Sequence, residues 1–272
     1  MKAIEAPEEF DVPAEHALLV VDMKNYSQLP EAKMAAVRSD LGDILDTVFA
    51  QSALPNLHSL GDAHKDTGDG AIIVLPARHT ARIVDPLLGH LNDALARYDR
   101  QRLASNPTIR LRSSVHVGPL TPLDHRGDTI NEACRLVNSN EARQAMAAAV
   151  DNGSFLAAAV SEAAFRRTVH AGRTPNLQAR QFLAASARVD GKEGFEEACR
   201  VHVPGLSAET LRSYIRSLSE PSSDTADTRE EATPSAGAAP AGPGPTFQFQ
   251  APLYDATVAG SIETLRINRR HR

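Results

Sequence analysis

Residues 16–23, HALLVVDM, place Leu18, Leu19, Val20 and Val21 in an unbroken apolar run. Such continuity predicts a central strand covered on both faces. After Pro30 the period changes. Met34, Val37, Leu41, Ile44, Leu45 and Val48 recur at helical spacing, which predicts an amphipathic helix. Residues 57–76 read as a hairpin, because Gly68-Asp69-Gly70 supplies turn chemistry directly before Ala-Ile-Ile-Val-Leu. A second helical stripe, Ile83, Val84, Leu87, Leu88, Leu91, Leu95 and Tyr98, spans about 80 to 103. Residues 108–118, TIRLRSSVHVG, alternate, with Ile109, Leu111, Ser113, Val115 and Val117 on one face. GDTINEACRLVNS then opens a helix that Asp128 or Thr129 is placed to cap. Farther on, GSFLAAAVS reads as a strand and EAAFRRTVH as an amphipathic helix. RQFLAASARVD and EEACRVHVPG read as a closing hairpin around DGKEG.

The order β-α-β-β-α-β-α predicts an α+β domain of the ferredoxin-like kind, a mixed sheet with flanking helices. The domain is expected over 15–218, after a short extension at 1–14. From 219 the pattern stops. Residues 219–245 are rich in Ser, Thr, Pro, Ala and Gly, with five acids (Glu220, Asp224, Asp227, Glu230, Glu231) against Arg229. A segment so poor in apolar residues cannot offset its ordering entropy, so a disordered linker is expected there. Residues 246–272 regain order potential: Phe247 and Phe249 alternate with Gln, and Arg269, Arg270 and Arg272 close the chain. A short β-prone tail on a linker suits strand addition to a protein partner.

Composition narrows the chemistry. The net charge is −5 over 272 residues, so no overall basic field draws the protein to nucleic acid or an anionic membrane. The first residues lack an apolar leader, and no apolar run approaches the roughly 20 residues of a membrane span. A cytoplasmic protein with Cys134 and Cys199 as reduced thiols is expected. His58, His64, His79, His90, His116 and His125 show no metal-ligand spacing.

Two aspartates stand out against this background. Asp22 ends the first buried strand and Asp69 sits at the hairpin tip. If the hairpin pairs beside that strand, the two carboxylates converge and offer hard oxygen ligands to Mg²⁺ or Mn²⁺. Taken singly, each has a plainer role, at a strand end or in a turn.

Four segments carry a family resemblance. LLVVDMKNYS, KDTGDGAIIVLP, RSSVHVGP and GDTINEACRL occur in this order across about residues 15–140. Together they resemble the catalytic domain of class III nucleotidyl (adenylate/guanylate) cyclases, and most closely the short actinobacterial cyclase-like proteins. The resemblance implies conversion of a nucleoside triphosphate to a 3′,5′-cyclic nucleotide and pyrophosphate, for second-messenger signalling. It implies two Mg²⁺ or Mn²⁺ per site on Asp22 and Asp69. It implies phosphate-holding backbone amides at Lys24, Asn25, Tyr26 and Ser27, and base contacts from Lys65 and Asp124. It also implies a ribose contact from Asn131 and charge stabilisation by Arg135. The family builds its site between two catalytic domains, and this chain holds both residue sets. A homodimer with sites at the interface follows. The chain departs from the pattern between Gly118 and Asp124, where five residues including Pro119 and Pro122 replace a strand. The alternative is therefore a catalytically inactive nucleotide-binding or scaffold protein that signals through its tail.

Overall fold

The computed structural model describes residues 12–121, 127–192 and 194–215. The expected linker, the tail and Asp124 lie outside the described residues. β1 (Glu15–Met23) leads to α1 (Glu31–Gln51). A short hairpin follows, β2 (His64–Asp66) and β3 (Gly70–Pro76). After a single helical turn, α2 (Thr80–Arg82), come α3 (Leu88–Gln101), β4 (Leu111–Pro119), α4 (Asp128–Asn138) and α5 (Asn140–Asp151). β5 (Leu156–Ser161), α6 (Glu162–Arg167), β6 (Leu183–Arg188), β7 (Glu196–His202) and α7 (Ala208–Arg212) complete the order. The strands form one seven-stranded mixed sheet, ordered β2-β3-β1-β4-β5-β7-β6. The architecture is α+β, as the pattern predicts. β4 and β5 are the parallel pair, and parallel neighbours need a long crossover, which α4 and α5 supply.

β1 is central, with β3 and β4 as antiparallel neighbours. Its two faces pack differently. Ala17, Leu19, Val21 and Met23 join the large core with α1 and α3. Leu18 and Val20 join a smaller core with Ile72, Val74, Ile130, Ala133 and Val137, the last three from α4. Two-sided burial explains why the sequence shows a continuous run here and not an alternation. A third cluster centres on α5, β5 and β7, where Ala142, Ala145, Met146 and Ala149 meet Ala157, Ala159 and Val201.

Four expectations change. The stripe over 80–103 is not one helix. The chain leaves helical geometry at Asp85 (φ −147°, ψ 114°) before Pro86, because proline pushes its predecessor toward extended backbone. The Asp85 carboxylate accepts hydrogen bonds from the Asn176 N–H (2.6 Å), the Asn176 Nδ2 (2.9 Å) and the Leu177 N–H (3.2 Å), and so ties a distant loop to the break. Second, the hairpin is shorter than 57–76. Short 3₁₀ turns at Leu57–Ser59 and Gly61–Ala63 precede a three-residue β2. Third, neither Asp128 nor Thr129 caps α4. Gly127 holds the cap position at φ 106°, and the Thr129 hydroxyl donates to the Pro119 carbonyl at 2.6 Å. Finally, α5 is an additional helix that no apolar stripe announces, since its buried face is mostly alanine.

No helix among the described residues is long and apolar enough to cross a membrane. Cys134 lies half-buried on α4 and Cys199 buried on β7, both as free thiols.

Candidate functional site

The Gly-Asp-Gly turn is built by three distinct constraints. Gly68 has φ +93°, a conformation glycine adopts at no steric cost. Its N–H is held by the Asp66 carboxylate at 2.7 Å, and Arg38 of α1 ion-pairs with that same side chain. Gly70 answers a different need. A Cβ there would stand 1.8 Å from the Val21 carbonyl oxygen, so only glycine lets β3 lie this close to β1. Asp69 sits between the two glycines, and its carbonyl accepts the Met23 N–H at 2.7 Å. The main chain thereby pins Asp69 beside the end of β1.

Asp22 is opposite Gly70 on one side and opposite Arg112 on the other. Its carboxylate is close enough to that of Asp69 for Asp22 to feel the Asp69 charge. Arg112 donates to Asp22 Oδ2 through Nε at 3.0 Å, and Nη2 donates to the same oxygen. The two side chains are only 16% and 15% exposed. Burial pushes the Asp22 carboxyl above its ordinary value, the guanidinium pulls it down, and the Asp69 charge raises it further. The net direction is upward, and burial is its largest cause, with the Asp69 charge a smaller contribution. Its donor chemistry suits a hard divalent cation: adjacent carboxylate oxygens at a sheet end that is half open to solvent. Among the described residues no cluster of three or more His, Cys, Asp or Glu is arranged to hold a metal. Asp22 and Asp69 would therefore share the ion with water and substrate oxygens.

The loop after β1 turns at once. Asn25 adopts the left-handed region (φ 62°, ψ 22°) and Tyr26–Gln28 forms a 3₁₀ turn. The Lys24 N–H is committed to the Arg110 carbonyl at 2.9 Å. This leaves the amides of Asn25, Tyr26 and Ser27 as the phosphate-side candidates of the four.

Lys65, Asn131 and Arg135 form a second group. Lys65 pairs with Ile72 in the β2–β3 ladder, which puts it on the face that α4 covers. Its side chain is exposed, and its charge reaches the Cys134 thiol of α4. Asn131 and Arg135 are exposed on α4, opposite the buried Ile130, Ala133 and Val137. The Arg135 guanidinium lies over the Phe195 ring, 5.2 Å from its centroid. Among the described residues neither Asn131 nor Arg135 bonds to Asp22 or Asp69. Asp22, following Leu18 and Val20 on β1, lies on the sheet face that α4 covers.

Arg112 opens the RSSVHVGP segment, and the sequence assigns it no role. Its signal is its strand: Arg112, Ser114 and His116 share the face opposite the apolar alternation of β4. Antiparallel pairing with β1 then brings Arg112 opposite Asp22. On that face His116 is buried, with Nε2 3.1 Å from Glu132 Oε2. The contact is too poorly aligned for a hydrogen bond, since both ring nitrogens are without one. Burial pushes the His116 pKa down to about 4. Burial likewise raises the Glu132 carboxyl, and with the imidazole neutral near pH 7 the contact is not an ion pair. Gly118, two residues on, leaves room for Thr129, whose Oγ1 would stand 2.8 Å from a Cβ there.

A paired-carboxylate site at the end of a central strand, flanked by a glycine hairpin, is the class of site that fold and geometry define. No protein-family model matches the chain, and no curated protein matches it. The solved structures it is similar to are adenylate and guanylate cyclase catalytic domains. One is the adenylate/guanylate cyclase/hydrolase from Silicibacter pomeroyi, at 19% identity and TM-score 0.45 over 71% of this chain and 98% of that one. Another is the catalytic core of a rhodopsin-guanylyl cyclase with converted specificity in complex with ATPαS, at 16% identity and TM-score 0.42 over 71% and 97%. A third is a dimeric guanylyl cyclase domain of the RhoGC fusion protein from the aquatic fungus Blastocladiella emersonii, at 15% identity and TM-score 0.43 over 71% and 97%.

Proposed function

We propose that this chain is a class III-like nucleotidyl cyclase, converting a nucleoside triphosphate to a 3′,5′-cyclic nucleotide and pyrophosphate in the cytoplasm. The contracted segment after Gly118 points to the short actinobacterial cyclase-like branch. The observation that carries the reading is the convergence of Asp22 and Asp69, held by backbone bonds at the ends of adjacent strands. A Mg²⁺ or Mn²⁺ pair, when bound, would neutralise phosphate charge and favour the ionised ribose 3′-hydroxyl. Asp22 and Asp69 would hold the cations, and the amides of Asn25, Tyr26 and Ser27 would orient the terminal phosphates. Asn131 and Arg135, one turn apart on α4, would position the ribose and balance charge at the α-phosphate. Lys65 would read the base, with Asp124 as its partner in that role. Catalysis of this kind is mostly positioning and charge stabilisation.

The presence of both residue sets in one chain, as in the family it resembles, supports a site completed by a second copy. Two equivalent sites across a two-fold axis follow. A second reading, a nucleotide-binding domain without turnover that signals through residues 246–272, is favoured by one observation: Arg112 already engages Asp22.

The test offers the purified chain each of the four common triphosphates with Mn²⁺ or Mg²⁺ and searches chromatographically for a cyclic product. Turnover with at least one triphosphate, abolished in Asp69→Asn, is expected. Mixing Asp22→Ala with Asn131→Ala protein should restore part of that activity through hybrid dimers. Stable nucleotide binding without pyrophosphate release would decide for the second reading.

A further inference from the structure

Arg112 puts both Nε and Nη2 on a single oxygen of Asp22. Among the described residues, Asp22 Oδ1 and the Asp69 carboxylate thus take no hydrogen bond from the guanidinium. The Asp22–Arg112 pair is mostly enclosed, where charges interact more strongly than at an open surface. It is also fixed by the ladder, since Arg112 stands directly opposite Asp22. A divalent cation bound between the two carboxylates meets a resident positive charge on the other oxygen of the same Asp22 carboxylate.

We infer that Arg112 is a resident counter-ion that lowers the affinity of the Asp22–Asp69 pair for free divalent metal. The inference rests on the reading of these two aspartates as the metal pair. In its consequence, the free protein is poorly loaded by metal alone. Loading falls to cation that arrives already complexed to the substrate's phosphates, with much of its charge neutralised.

The experiment measures Mn²⁺ binding to the full chain without nucleotide, by calorimetry and by the electron paramagnetic resonance of free Mn²⁺. The proteins are wild type, Arg112→Gln, Arg112→Lys, Asp69→Asn and the double variant Arg112→Gln/Asp69→Asn, each checked for folding by circular dichroism. Removing a charge-assisted contact of this kind is expected to tighten Mn²⁺ binding roughly tenfold in Arg112→Gln. Arg112→Lys should fall between, because an ammonium keeps the charge and loses the fork. The double variant should lose the gain. If Arg112→Gln binds no tighter than wild type while Asp69→Asn still weakens binding, the counter-ion role is overturned and the metal pair stands. If no protein binds Mn²⁺ and Asp69→Asn changes nothing, the metal pair itself is wrong. Should the glutamine variant fail to fold, Arg112→Lys carries the comparison, and an affinity equal to wild type overturns the inference.

Discussion

Replacing Gly70 by alanine tests whether the carboxylate pair is set by main-chain contact. The added Cβ would stand 1.8 Å from the Val21 oxygen, 2.7 Å from the Val21 carbonyl carbon and 3.0 Å from the Asp22 Cα. All three are backbone atoms, so no rotamer change relieves the overlap. β1 and β3 must part locally by more than an ångström to reach ordinary contact. Overpacking of this kind costs about 1–3 kcal/mol. Losing the Met23–Asp69 ladder bond beside it adds about 1 kcal/mol. A total near 3 kcal/mol lowers the melting temperature of a domain of this size by about 6–12 °C. Gly42→Ala is the control. It lies in α1 with nothing within 4 Å of the new methyl, and alanine is favoured there by about 0.5–1 kcal/mol. Differential scanning calorimetry of the three proteins reads the contrast. A Gly70→Ala protein that melts within about 2 °C of wild type would refute the steric argument, given the scale above.

Two further predictions concern His116 and the crossover. His116 titrates at about 4 when folded, against 6.5 when exposed. The unfolded chain therefore binds the proton first, and stability present above pH 6.5 is lost as pH falls toward 4, by up to about 3 kcal/mol. Melting temperature measured between pH 4 and 7 should fall on the acid side in wild type and flatten in His116→Gln; equal slopes would sink the assignment. Ser139 caps α5, its hydroxyl accepting the Ala142 N–H at 3.2 Å and donating to the Leu136 carbonyl at 2.8 Å. Ser139→Ala should cost about 1–2 kcal/mol in urea denaturation with an unchanged slope.

The fold was largely readable because its central elements announce themselves. β1 shows its two-sided burial as Leu-Leu-Val-Val, and β4 shows its alternation. What escaped the pattern escaped for physical reasons. α5 buries alanines, which carry little periodic signal. The stripe over 80–103 keeps its helical spacing through Pro86, where the backbone does not. The carboxylate pair was legible because turn chemistry and strand ends are local. Arg112 was not, because its importance lies in register: only pairing with β1 puts it opposite Asp22. The second group, Lys65 with Asn131 and Arg135, was marked by resemblance alone. The structure assigns its members to one face of the sheet and the helix that covers it.

The outer strand β2 bears on how two such chains can meet. It is three residues long, His64-Lys65-Asp66, and Arg38 is tied to its last side chain. So short and charged an edge offers few free ladder groups to an incoming strand, which is how sheets resist growth by addition. A two-fold partner that brings its own carboxylates toward Lys65 cannot readily do so by lengthening the sheet through β2. Of the sheet's two edges, β2 and β6, the β2 edge is thus the poorer place for a second copy to add its strands.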